Sequence, residues 1–228
     1  MAKLYHFPLD PFCRRIRLSL GEYGAQAELL EERPWERRAA FLALNPAGEA
    51  PVFVDDGGTV AAGILAAGEY LEETRATSDK SLLGDAPAHR AEVRRLVAWF
   101  DGRFNFEITA PVLMEKALRR FLPPEMGGGA PDTSRVRAAI KRLPGHLDYI
   151  GRLAEERGLL AGDALSMADL AAAAHLSVLE YLDALNWEGF EPAKLWYQRI
   201  KSRPAFRPLL ADRVRGIAPP AVYSALDF

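Results

Sequence analysis

With 228 residues, 49% of them apolar and 26% charged, and a formal net charge of −2, the chain has the composition of a globular protein able to bury a sizeable core. No apolar run approaches the ~20 residues of a membrane helix, and Met1-Ala2-Lys3-Leu4 leads into strand-like sequence without the apolar stretch of a signal peptide. A single cysteine excludes an internal disulfide framework and fits a reducing cytoplasm, while the scattered His6, His89, His146 and His175 and the absence of a concentrated basic patch argue against metal and nucleic acid.

In chain order, KLYHF (3–7) reads as a short strand ended by Pro8. Asp10 is then a good N-cap and Pro11 a good first helical residue, with Ile16 and Leu20 at helical spacing and Gly24 as the stop. AELLEE (27–32) is a weak strand, PWERRAAFLALN (34–45) a helix and NPAGEAP (45–51) a loop. PVFV (51–54), the turn DDGG and TVAA (59–62) form a β-hairpin, and a helix follows from Ile64 to Glu73. The order over residues 1–75 is β-α-β-α-β-β-α, with 8 Lys and Arg against 12 Asp and Glu.

Beyond a polar connection (75–85) the pattern is helical. HRAEVRRLVAWFDGRFNFEI (89–108) carries Val93, Leu96, Val97 and Phe100 at helical spacing. EMGGGAPD (125–132) breaks the pattern, and a long amphipathic stretch over 135–156 contains Pro144, a predicted kink. In LSMADL (165–170), Ser166 and Asp169 form a capping box, with Leu165 and Leu170 as the hydrophobic staple. The small-residue helix AAAAHLSVLEYL follows, then a last helix over about 192–211 and a proline-containing tail. His175 is expected in the core.

DPFCRR (10–15) admits two readings. At the third helical position the dipole and Arg14, Arg15 and Arg17 would lower the Cys13 thiol and make it a nucleophile. The alternative is a small apolar residue packed inward, with the arginines forming a solvated helix face or a partner-binding surface. Trp35, in the charged segment PWERR, is either an exposed interface anchor or part of a small buried cluster. Tyr223, Leu226 and Phe228 lie so close to the end that they form either a strap over the domain or a docking segment, with Asp227 adding charge.

NPAGEAPVFVDDGGTV, AAGEYLEE and LLAGDALSMADLAAAAHL together resemble the glutathione transferase (GST) superfamily, and the resemblance spans nearly the whole chain. It implies the GST fold, α/β plus all-α. A thioredoxin-like βαβαββα domain over 1–75 is followed by a linker at 76–86, a helical bundle over 87–215 and a tail at 216–228. It also implies a cis Pro51, with Ala50 offering its backbone to an extended peptide.

The resemblance further implies a catalytic Ser or Cys where the first strand meets the first helix, and this chain has Asp10 there. A carboxylate accepts but cannot donate a hydrogen bond to a thiolate, and its charge raises a thiol pKa. Where relatives hold the γ-glutamyl end of glutathione with an acidic residue and Ser, this chain has Gly63-Ile64. Two lost hydrogen bonds to charged groups, each worth roughly 1.5–3 kcal/mol, weaken binding by about two to four decades. No cofactor is therefore expected, and glutathione binding is expected to be lost or weak.

Within the superfamily, LYHFPLDPFCRR, the altered glutathione site and APPAVYSALDF resemble the GST-like cell-division proteins of alphaproteobacteria. That resemblance implies a non-catalytic, homodimeric cytoplasmic protein at the division site that binds FtsZ polymers and regulates their curvature, with no nucleic-acid partner and no membrane insertion. The alternative is a glutathione-dependent transferase or thiol reductase using Cys13. A binding partner in the transcription machinery is a third possibility.

Overall fold

The computed structural model describes residues 1–77 and 79–226. Four short strands form one mixed sheet in the order β2-β1-β3-β4: β1 Lys3–His6, β2 Glu28–Glu31, β3 Val52–Val54 and β4 Val60–Ala62. β1 and β2 run parallel with Leu4 opposite Leu29, while β3 is antiparallel to both β1 and β4. The β1–β2 crossover is α1 (Pro11–Tyr23), and α2 (Ala39–Leu44) and α3 (Ile64–Arg75) complete the unit. The GST fold expected from the sequence is present, with strands confined to the first 75 residues and helices beyond them.

The local signals operate as elementary chemistry predicts. Asp10 caps α1, its Oδ1 accepting the Cys13 N–H at 2.7 Å, and Pro11 occupies a position that has no intrahelical donor to lose. Gly24 ends the helix at φ 68, a conformation that a Cβ penalises. The expected 34–45 helix is instead two pieces, a 3-10 turn at Pro34–Glu36 and then α2. Arg37 takes a left-handed φ of 46 between them, and Arg38 turns back to pair with the buried Glu32.

The helical half comprises α4 (Pro87–Ala98), a π-helical segment Trp99–Thr109, α5 (Ala110–Lys116), α6 (Thr133–Arg157), α7 (Met167–Tyr181), α8 (Glu191–Lys201) and α9 (Arg207–Leu210). The continuous helix expected over 89–108 thus widens into i→i+5 bonding from Trp99 onward. Pro144 lies within α6, which continues on both sides of it.

α7 is buried along its whole length, and its alanines let α1 pack directly on it. Its start carries the capping box. Asp169 accepts from the Ser166 amide (3.0 Å) and hydroxyl (2.7 Å), the Leu160 amide (2.9 Å) and the Trp196 indole (3.0 Å). Burial nonetheless raises the Asp169 pKa, and these four donors oppose that rise only in part. His175 is in the core, Nδ1 2.9 Å from Thr109 Oγ1. No helix among the described residues is long and apolar enough to cross a membrane, and they contain no cluster of metal-ligating side chains.

Candidate functional site

The backbone positions singled out by sequence, Ala50, Pro51, Gly63 and Ile64, lie together where β3 and the start of α3 meet. The Ala50–Pro51 peptide is cis, and the Pro51 carbonyl accepts the Gly63 N–H at 2.8 Å. Gly63, at φ 84, is the N-cap of α3 and has no side chain to offer there. Arg15 reaches across from α1 and donates to the Ile64 carbonyl at 3.1 Å.

Asp10 has its carboxylate turned onto its own helix through the Cys13 amide. Burial raises it to about 6, against the lowering effect of that hydrogen bond. Cys13 is fully buried, and burial together with the neighbouring Asp10 charge pushes its thiol well above the ordinary range. The helix dipole that favours a thiolate is outweighed by the lack of solvent.

The arginines of α1 are not a solvated face: Arg14, Arg15 and Arg17 are all buried. α1 is covered by α3, by α7, by the 204–206 turn and by the segment after α9, and the faces carrying these arginines are closed to water. Each guanidinium is answered from a distant part of the chain. Arg14 donates to the Pro8 carbonyl (2.7 Å), Ser177 Oγ (2.8 Å) and Tyr223 Oη (3.1 Å). Arg15 pairs with Asp101 at 3.1 Å, and Arg17 holds both oxygens of Asp212 at 2.8 and 2.9 Å. Hydropathy places arginine outside, and no local pattern announces partners nearly two hundred residues away.

Tyr223 is likewise corrected from a candidate docking anchor to a core residue. It is fully buried, its hydroxyl donates to the Leu209 carbonyl at 2.8 Å, and its ring meets the edge of Tyr181 at 5.0 Å. Beside it, Lys201 pairs with Glu180 at 2.7 Å inside the protein. The tail is a strap as far as Tyr223, held by polar bonds as well as apolar packing. Leu226 is exposed, as is Val222, which the sequence reading did not single out. Asp227 and Phe228 lie outside the described residues.

Trp35 is half-buried and closes a small aromatic cluster. Its ring stands edge-on to Phe7 (5.2 Å) and stacks on Phe121 (6.0 Å, 10° between planes). A cleft of about 120 Å³ lies beside it, lined by Arg33, Arg213 and Arg215 among others. The sheet unit, the turn after α5 and the segment after α9 meet at this point.

Residues 11–74 match the family described as Glutathione S-transferase, N-terminal domain, and residues 109–204 match Glutathione S-transferase, C-terminal domain. FtsZ-localized protein A of Caulobacter vibrioides is 45% identical over 228 residues, covering 99% of this chain and 97% of that protein. The chain belongs to the glutathione S-transferase family. Within that family, the structure of a glutathione S-transferase from Sinorhizobium meliloti 1021 superposes with a TM-score of 0.96 at 48% identity over the full length of both chains. That of FzlA from C. crescentus gives 0.93 at 45% identity, covering 100% of this chain and 99% of that one.

Proposed function

We propose that this GST-family protein is a non-catalytic scaffold that binds FtsZ polymers and regulates filament curvature at the division site, acting as a cytoplasmic homodimer. The full-length 45% identity to FtsZ-localized protein A carries this reading. The site geometry supports it: Asp10 caps a helix, the only thiol is buried, and Gly63-Ile64 brings no side-chain hydrogen-bonding group to the start of α3. The degraded glutathione site then comprises Asp10, Ala50, Pro51, Gly63 and Ile64. The partner-facing surface comprises Trp35 with the chain end beyond the strap: Leu226, Asp227 and Phe228.

Co-sedimentation with FtsZ polymers tests the reading. Trp35→Ala, and separately removal of residues 225–228, should reduce the pelleted fraction while leaving Tyr223 and its hydrogen bonds in place. Unchanged pelleting by both variants removes these residues from the interface, and no pelleting by the wild type overturns the FtsZ assignment. Saturable glutathione binding in calorimetry at millimolar ligand, or conjugation of chlorodinitrobenzene, would instead restore the transferase or thiol-reductase reading through Cys13.

A further inference from the structure

A further cavity lies away from the sheet end and from the tail. It is an open groove of about 630 Å³ between the π-helical segment and α5 on one side and α6 on the other. Small residues, Ala110, Ala138 and Ala139, form part of its wall and leave room for another backbone to approach. Phe106, with 82% of its surface exposed, and Met126, also exposed, line it.

The groove is cationic. Arg119, Arg135 and Arg142 line it, against Glu107 as the acidic lining residue. The Glu107 carboxylate is already engaged by Arg103 (3.0 Å) and by His146 (3.0 Å). Arg119 and Arg135 clamp the buried Glu115 at 2.6 and 2.9 Å, which fixes their guanidinium groups on the groove wall. Arg142 forms no ion pair among the described residues.

A second feature concerns helix electrostatics. Residues 133–147, the N-terminal part of α6, carry Arg135, Arg137, Lys141 and Arg142 and no acidic residue, in a chain of net charge −2. Cations in the first turn of a helix oppose the macrodipole, an effect that falls off beyond that turn. Arg135 stands in that turn and is answered by Glu115, while Arg137, Lys141 and Arg142 lie farther along. Asp132 at the N-cap, accepting the Ser134 N–H at 2.9 Å, offsets part of that cost.

We propose that this groove docks an acidic amphipathic helix of a partner protein, its apolar stripe seated against Phe106, Met114 and Met126 and its carboxylates facing Arg135 and Arg142. Charge complementarity selects the acidic partner, and a concave channel between two helices with alanine in its wall fits a helix in a groove. A flat anionic membrane surface would engage Phe106 and the arginines but leave the channel empty.

The test uses the full chain and three probes: a fluorescent synthetic peptide of Leu and Glu in amphipathic helical order, its counterpart with Lys for Glu, and phosphatidylglycerol vesicles. The acidic peptide should bind saturably and weaken with salt, and Phe106→Ser and Arg142→Glu should each weaken it about tenfold. Both side chains are exposed, so thermal melting checks that the variants remain folded. FtsZ pelleting, which depends on the Trp35 and tail surface, should be unchanged by either variant. The proposal is overturned if the acidic peptide fails to bind, if its binding ignores both substitutions, or if vesicles bind with the same dependence on both residues and the peptide does not.

Discussion

Arg14 in the first helix and Tyr223 in the C-terminal strap meet inside the protein, guanidinium nitrogen to phenolic oxygen at 3.1 Å, with neither group reaching solvent. The same arginine touches Ser177 of α7 and lies 3.6 Å from Asp212. One side chain thereby joins the sheet unit, the helical half and the tail. Tyr223→Phe removes a hydroxyl that both accepts from Arg14 and donates to Leu209, and should cost about 1–3 kcal/mol in denaturant unfolding. It should also speed proteolytic clipping after residue 212. Arg14→Ala, which leaves several buried partners unanswered, should cost more, about 3–5 kcal/mol.

Cys13 should behave as a core residue. With the thiol fully buried and held well above its ordinary range, a disulfide exchange reagent at pH 8 should leave the native protein unmodified and label it stoichiometrically in denaturant. Cys13→Ala should lower stability by roughly 1 kcal/mol, as expected for a small buried group. Rapid labelling of the folded protein would contradict this geometry.

Asp10 sets a pH dependence whose sign follows from its raised value of about 6 against an ordinary 3.8. The folded state prefers the protonated carboxyl, so this contribution is fully present below pH 3.8 and is lost as pH rises through 6. Asn caps a helix as well as Asp, so Asp10→Asn should stabilise the protein at pH 7, by at most about 3 kcal/mol. That gain should vanish near pH 4. His6 acts with the opposite sign. Burial, followed by the charge of Arg17, lowers it to about 4, so its contribution is present above pH 6.5 and is lost as pH falls through 4. His6→Gln should therefore flatten the acid limb of the stability curve.

Asp169 carries four donors from three separate parts of the chain. Asp169→Ala should destabilise by about 3–5 kcal/mol, because it strips the partner from buried amides and from the Trp196 indole at once. Asp169→Asn should lose less, since one oxygen can still accept. Urea midpoints at constant m-value distinguish the two.

Much of the frame was legible because its determinants are local. Asp10-Pro11 at the start of α1, Gly24 at its end, the DDGG hairpin and the Ser166–Asp169 box each depend on residues within a few positions of one another, and such short-range preferences are written in the chain. The break at Arg37 escaped that reading because the left-handed turn is supported by a pairing of Arg38 with Glu32, back along the chain. The groove between α5 and α6 was not legible, because it exists only where α5 lies alongside the basic start of α6.

By itself, then, the sequence determined the broad order of elements and the caps of α1 and α7. The tertiary structure alone decided that Cys13 is sealed, that three arginines lie inside, and that Tyr223 belongs to the core. The reason is physical. Capping and turn energies act between near neighbours, whereas burial of a charge is tolerable only when distant groups such as Asp101, Ser177 and Asp212 arrive to satisfy it. Such arrivals are a property of the packed chain and of no single segment.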